Sequence, residues 1–204
     1  MDKRRDVVYM LSPAYKKQKK LLGMPLLLSV KGVSPVFGQN CYIAPNATIV
    51  GDVTMGDDCS IWFNSVVRGD VNSIHMGNKV NIQDGAVIHC TYQKTKTLIG
   101  NNVSIGHNAI VHGCTVHDNV LIGMGAIIMD NAEIGSHSII AAGAVVLEGV
   151  KVEAGSIYAG VPAKKVKNVP EELISGEINR IANNYVMYSS WFKEDEKGEV
   201  KGER

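Results

Sequence analysis

Three histidines carry the chemistry that this sequence suggests: His89, His107 and His112. Three imidazoles with a fourth position open to water form the usual ligand set of catalytic zinc. Such an ion lowers the pKa of its bound water to about 7, which makes hydroxide available at neutral pH. That is hydro-lyase or hydrolase chemistry. Whether the three rings can meet depends on the elements that hold them.

Those elements repeat every six residues. Aliphatic side chains recur at Ile43, Ile49, Met55, Ile61 and Val67, then at Met76, Ile82 and Ile88, then at Ile99, Ile105 and Val111. After one shorter step they continue through Val116, Ile122, Ile128, Ile134, Ile140, Val146 and Val152. Small residues follow four places later at Ala47, Val53, Cys59, Ala86, Ala109, Ala126, Ala132 and Ala144. A helix would space its apolar residues by three and four. A fixed six-residue period is the signature of a parallel β-helix, and the count from Ile43 gives about six coils. Each coil buries its apolar ladder only against its neighbours, so both ends need caps.

The period turns sequence positions into faces. Two insertions have to be subtracted, one between Val67 and Met76 and one between Ile88 and Ile99, where Cys90–Leu98 is expected to bulge out. Val67, Ile88 and Val111 then share a face. Each is followed by a polar residue that strand alternation turns outward, giving a column of Arg68, His89 and His112. Ile82 and Ile105 share the adjacent face, where Gln83 follows Ile82 and Asp84 stacks with His107. Within one subunit the two columns point apart. They converge only if subunits pack side by side, which predicts a homotrimer with three metal sites. The same alternation turns Cys90 inward, away from any ligand role, and His75, His117 and His137 read as solvated.

The rest of the chain bounds the reading. It has 204 residues and a net charge of +1, which gives no overall case for nucleic acid or a membrane surface. Hydrophobic residues make up 45% but aromatics only 6%, so the core is built of small aliphatic layers. Cys41, Cys59, Cys90 and Cys114 form no C-x-x-C pair and read as free thiols in a reducing cytoplasm. No apolar run is long enough to span a bilayer. The segment LLGMPLLLSV after a basic start contains Pro25, lacks a small-residue cleavage site and leads straight into the repeat, so secretion is not expected. Residues 1–26 read as a basic arm, with Met24 as a candidate start of the mature chain. Residues 27–165 read as the β-helix, ended by the turn YAGVPAK (Tyr158–Lys164). Residues 166–204 read as a helix with a charged tail. Leu173, Ile174, Ile178, Ile181, Tyr185, Tyr188 and Phe192 form its apolar stripe, to be laid along the β-helix flank.

The segments VRGD (Val67–Asp70), NIQDGAVIH (Asn81–His89) and GHNAIVHG (Gly106–Gly113), with the GVPAK turn, resemble the gamma-class carbonic anhydrases over about residues 27–192. The resemblance implies an all-β fold, a left-handed parallel β-helix with a carboxyl-terminal α-helix on its flank. It implies reversible hydration of CO2 to bicarbonate by a zinc-bound hydroxide at a trimer interface, with Fe2+ or Co2+ as other candidate metals. His89, His107 and His112 match the metal ligands. Arg68 and Asp84 match an ion pair between subunits, supported by Asp70. Gln83 matches the group that hydrogen-bonds the hydroxide, and Asn81 belongs to the same network. The chain departs from the family prototype where proton removal takes place: Val71 and the acid-free loop CTYQKTKTL stand where the prototype has acidic residues. Three alternatives therefore stay open: a hexapeptide acyltransferase using acetyl-CoA, a CoA thioesterase, or a non-catalytic trimeric scaffold.

Overall fold

The computed structural model describes residues 24–196; the basic arm over 1–23 and the tail beyond 196 lie outside the described residues. The chain winds into a parallel β-helix of three faces. One face stacks the short strands Tyr42–Ile43, Ser60–Ile61, Asn81–Ile82, Ser104–Ile105, Leu121–Ile122 and Ile139–Ile140 in register, with Ser156–Ala159 continuing the stack. The other two faces form one continuous sheet. They are joined because Thr48–Met55 and Val66–Met76 run unbroken around a corner. The start of Val66–Met76 pairs with Val87–His89, and its end pairs with Thr97–Ile99.

The six-residue period fills the interior as expected. Ile49, Ile61, Val67, Ile82, Ile88, Ile105, Val111, Ile122, Ile128, Ile134, Ile140 and Val146 are fully buried, as are the small residues four places on. Each such aliphatic side chain contributes roughly 1.5–3 kcal/mol by leaving water. The corners between strands need backbone in the left-handed region. Asparagine fills it at Asn64, Asn108, Asn119 and Asn131, because its short polar side chain tolerates that conformation.

Four features were not legible in the period. A coil precedes Ile43: Leu26–Leu28 pairs with Thr48–Val50, and Val36–Phe37 pairs with Thr54–Met55. The insertion after Val67 forms no loop. It is taken up inside the strand Val66–Met76, where pairing slips between Gly51↔Gly69 and Val53↔Ile74. The GVPAK turn is followed by an added strand, Lys164–Asn168, that pairs antiparallel with Ser156–Ala159 and closes that face. The terminal helix is interrupted: a π-helical segment, Ile174–Asn179, precedes the α-helix Arg180–Glu196. That segment changes the helical phase, so the buried positions are Ile178, Ala182 and Ser189 rather than the whole stripe expected.

The helix is fastened by aromatic rings. Trp62, buried on the short-strand face, lies 5.2 Å from Tyr42, 5.2 Å from Tyr185 and 5.5 Å from Phe192, centroid to centroid. Asn102 Nδ2 donates to Asn179 Oδ1 at 2.9 Å, and Lys193 Nζ donates to the Asn40 carbonyl at 2.6 Å. The helix thereby roofs the face that carries Asn81, Gln83 and His107.

Candidate metal centre

The two columns form where the repeat places them. His89 and His112 pair in register on adjacent strands, and their rings contact edge to face, with Nδ1 of His89 3.1 Å from Nε2 of His112. His107 stands on the neighbouring face, with its Nδ1 2.9 Å from Asp84 Oδ2. Among the described residues of this one chain, no three His, Cys, Asp or Glu side chains converge on a common point. Cys90 is buried and turned away, its thiol donating to the Asn72 carbonyl. His117 is not merely solvated: its Nε2 lies 3.0 Å from Glu133 Oε1.

A carboxylate closes each end of the imidazole pair. Asp70 Oδ1 lies 3.2 Å from His89 Nε2, while its Oδ2 accepts from Arg68 at 2.6 Å. Arg68 is thus held by Asp70 within the chain, and Asp84 by His107; no ion pair joins Arg68 to Asp84 among the described residues of one chain. At the other end, Asp130 Oδ1 lies 2.5 Å from His112 Nδ1, and Asp130 Oδ2 accepts from the Thr91 hydroxyl at 2.5 Å. Sequence reading missed Asp130 and Thr91. Asp130 comes from the coil that follows His112, and Thr91 from the loop that begins the second insertion.

This array has a proton deficit. Its three contacts, Asp70–His89, His89–His112 and His112–Asp130, each need one N–H, and two neutral imidazoles supply only two. A third proton or a metal cation is required to satisfy all four groups. A third proton is disfavoured at His89, whose imidazole is held below its usual pKa by burial and then by the Arg68 charge. Burial pulls the Asp130 carboxyl upward, but hydrogen bonds from Thr91 and His112 outweigh it and keep the group ionised below the usual range. Two imidazole nitrogens 3.1 Å apart, each ring backed by a carboxylate at its other nitrogen, fit part of the ligand set of a divalent cation of the zinc type.

On the adjacent face the amides are fixed from beneath. Asn81 is 2% exposed and donates through Nδ2 to Ser104 Oγ at 2.7 Å. Gln83, 5% exposed, donates through Nε2 to Asn81 Oδ1 at 3.1 Å. This sets the amide orientation and leaves Gln83 Oε1 without an intramolecular partner among the described residues. Gln83 and His107 line one end of a cavity of about 420 Å³ between the β-helix and the terminal helix, whose other walls include Ile122, Met124, Arg180 and Tyr185.

The chain is similar to known proteins over most of its length. The chain is 36% identical over 182 residues to the mitochondrial gamma carbonic anhydrase 2 of Arabidopsis thaliana, covering 87% of this chain and 65% of that protein. It thus spans less than two thirds of that plant relative. It is 46% identical over 153 residues to a probable carbonic anhydrase of Methanocaldococcus jannaschii, covering 75% of this chain and 93% of the relative. The chain belongs to the gamma carbonic anhydrase family. Within that family's fold, residues 34–69 and 113–148 match the repeat described as bacterial transferase hexapeptide (six repeats). The crystal structure of a hexapeptide transferase family protein from Anaplasma phagocytophilum superposes with a TM-score of 0.78 at 41% identity, covering 82% of this gamma carbonic anhydrase family member and 98% of that chain.

Proposed function

We propose that the chain is a metal-dependent carbonic anhydrase that works as a homotrimer and interconverts CO2 and bicarbonate. The observation that carries this reading is the imidazole pair on one face, short of a proton and flanked by carboxylates, with the third histidine on the adjacent face. His89 and His112 of one subunit, with the equivalent of His107 from a neighbour, would hold the ion; Zn2+ suits the donor set, with Fe2+ or Co2+ as substitutes. When bound, the metal supplies a water ionised near neutral pH as the nucleophile.

The chain's own residues then have separable tasks. Gln83, fixed through Asn81 and Ser104, presents Oε1 to accept a hydrogen bond from water or from the bicarbonate hydroxyl. Asp70 steers His89 and neutralises Arg68. Asp84 steers His107 and, in the trimer, is available to Arg68 of a neighbour. An aliphatic column outside the histidine face, formed by Val66, Val87, Ile110, Ile127 and Val145 in register, supports packing of that face against a second copy. A cytoplasmic setting goes with the four free cysteines. No helix among the described residues is long and apolar enough to cross a membrane.

The cavity beside Gln83 and His107 is larger than CO2 requires and favours a second reading, hydrolysis of a thioester at the same metal. One set of measurements separates the readings. Protein purified without chelator should carry about one metal per chain, and His107→Ala should lose it although His89 and His112 remain. Unchanged metal content in that variant would refute the shared site. Stopped-flow CO2 hydration beside acyl-CoA hydrolysis decides the reaction.

A further inference from the structure

We propose that Asp130, braced by Thr91, is a positioning residue that locks the His112 ring in the tautomer and rotation that leave Nε2 as its metal-binding atom. This inference rests on the metal reading above. His112 is the one histidine of the face whose carboxylate partner has no competing cation. Asp70 divides its charge between His89 and Arg68, whereas among the described residues Asp130 is approached only by Thr91 and His112. A carboxylate this close to Nδ1 requires the proton there, so the lone pair lies on Nε2, the atom that faces His89.

The surroundings are built for this contact. The second insertion leaves the β-helix through Thr91, whose backbone N–H donates to Thr95 Oγ1 at 3.0 Å while its hydroxyl donates to Asp130. Opposite Asp130 the chain carries Gly113 in the left-handed region (φ 55°); a Cβ there would run into Asp130 Oδ1 and Thr95 Oγ1. The loop, the glycine and the carboxylate therefore form one cradle, and its product is the orientation of a single imidazole. Groups that orient a ligating histidine from behind typically change metal affinity by 10–100-fold.

The test uses the full-length chain, stripped of metal and then titrated with Zn2+ against a fluorescent chelator. Asp130→Ala is expected to weaken Zn2+ binding about 10–100-fold. Asp130→Asn, whose amide oxygen still accepts from Nδ1–H, is expected to recover most of that loss, and Thr91→Val to fall between them. A second readout needs neither metal nor activity. Long-range 1H–15N correlation of metal-free protein near pH 8 is expected to show His112 protonated on Nδ1 in the wild type and a mixture of tautomers in Asp130→Ala. If the wild type shows this tautomer but takes up no Zn2+, the metal reading fails and the positioning role stands. If Asp130→Ala folds, keeps the wild-type tautomer and binds Zn2+ as the wild type does, the positioning role is overturned. Lowered thermal stability with unchanged affinity and tautomer would likewise assign Asp130 to structure alone and overturn the proposal.

Discussion

Gly113→Ala offers a sharp stability test of this cradle, because a matched control exists in the same fold. Gly113 and Gly143 both sit in the left-handed region, at φ 55° and 68°. Around Gly143 a Cβ would meet nothing within 4 Å, whereas at Gly113 it collides with Asp130 and Thr95. Alanine at either position pays the conformational cost of about 1–2 kcal/mol. At Gly113 it must also push Asp130 off His112, losing a charge-assisted hydrogen bond of about 1.5–3 kcal/mol. The expected losses are about 1–2 kcal/mol for Gly143→Ala and about 2.5–5 kcal/mol for Gly113→Ala. For a chain of this size that corresponds to roughly 2–8 °C against roughly 5–20 °C in Tm, at about 2–4 °C per kcal/mol. Thermal unfolding of the two variants at one protein concentration measures the difference, since assembly makes Tm concentration-dependent. Equal losses at the two sites would refute the claim that the space beside Gly113 belongs to Asp130.

Other consequences follow from the helix roof and its rings. Trp62→Ala should cost about 3–5 kcal/mol, because the ring is buried among Tyr42, Phe63, Tyr185 and Phe192; limited proteolysis should then cut within 171–196 before the β-helix, and simultaneous degradation of both would show that the helix is not separately fastened. Tyr185 is pushed up to about 12 by burial, then by the Asp84 charge. Its folded-state pKa lies above the unfolded value of about 10, so its contribution to stability is complete below pH 10 and is lost as the pH rises toward 12. Phenolate absorbance should show an ionisation near 12 that disappears in Tyr185→Phe, and that variant should flatten the loss of stability over pH 10–12; a tyrosine ionising near 10 at this position would contradict the burial.

The fold was legible because a six-residue period leaves each position one direction to point. Ile88 and Val111 had to face inward, so His89 and His112 had to face out and stack, and Asp84 had to meet His107. What the period leaves unstated lies where the chain departs from it. Thr91 sits in a segment whose path the repeat does not set, and no apolar spacing announces it. Asp130 was readable in principle, since it follows Met129, the residue stacked beyond His112, but side chains at a corner reach across to the next coil and alternation says nothing about corners. Residues 27–165 read as β-helix, but the period does not register the coil before Ile43, because Leu27 and Phe37, which pair with Ile49 and Met55, lie ten residues apart rather than six. The π-helical segment at Ile174–Asn179 left no mark in an apolar stripe judged at constant pitch.

The slip between Gly51↔Gly69 and Val53↔Ile74 has a wider consequence. In an α-helix, extra residues rotate everything downstream. Here each rung takes its alignment from the rung beneath it, so a phase error is erased within one turn of the solenoid. By Ser60↔Asn81 the stacking is again regular, and by Thr115↔Glu133 so is the spacing. Asp70 and Thr91 both enter the centre from such off-beat insertions, whereas the three histidines occupy on-beat positions. The architecture therefore leaves room to lengthen or shorten a part that tunes the site without moving the ligands, which makes 91–96, the segment between strands, the place where grafted sequence should be tolerated by the fold and felt by the chemistry.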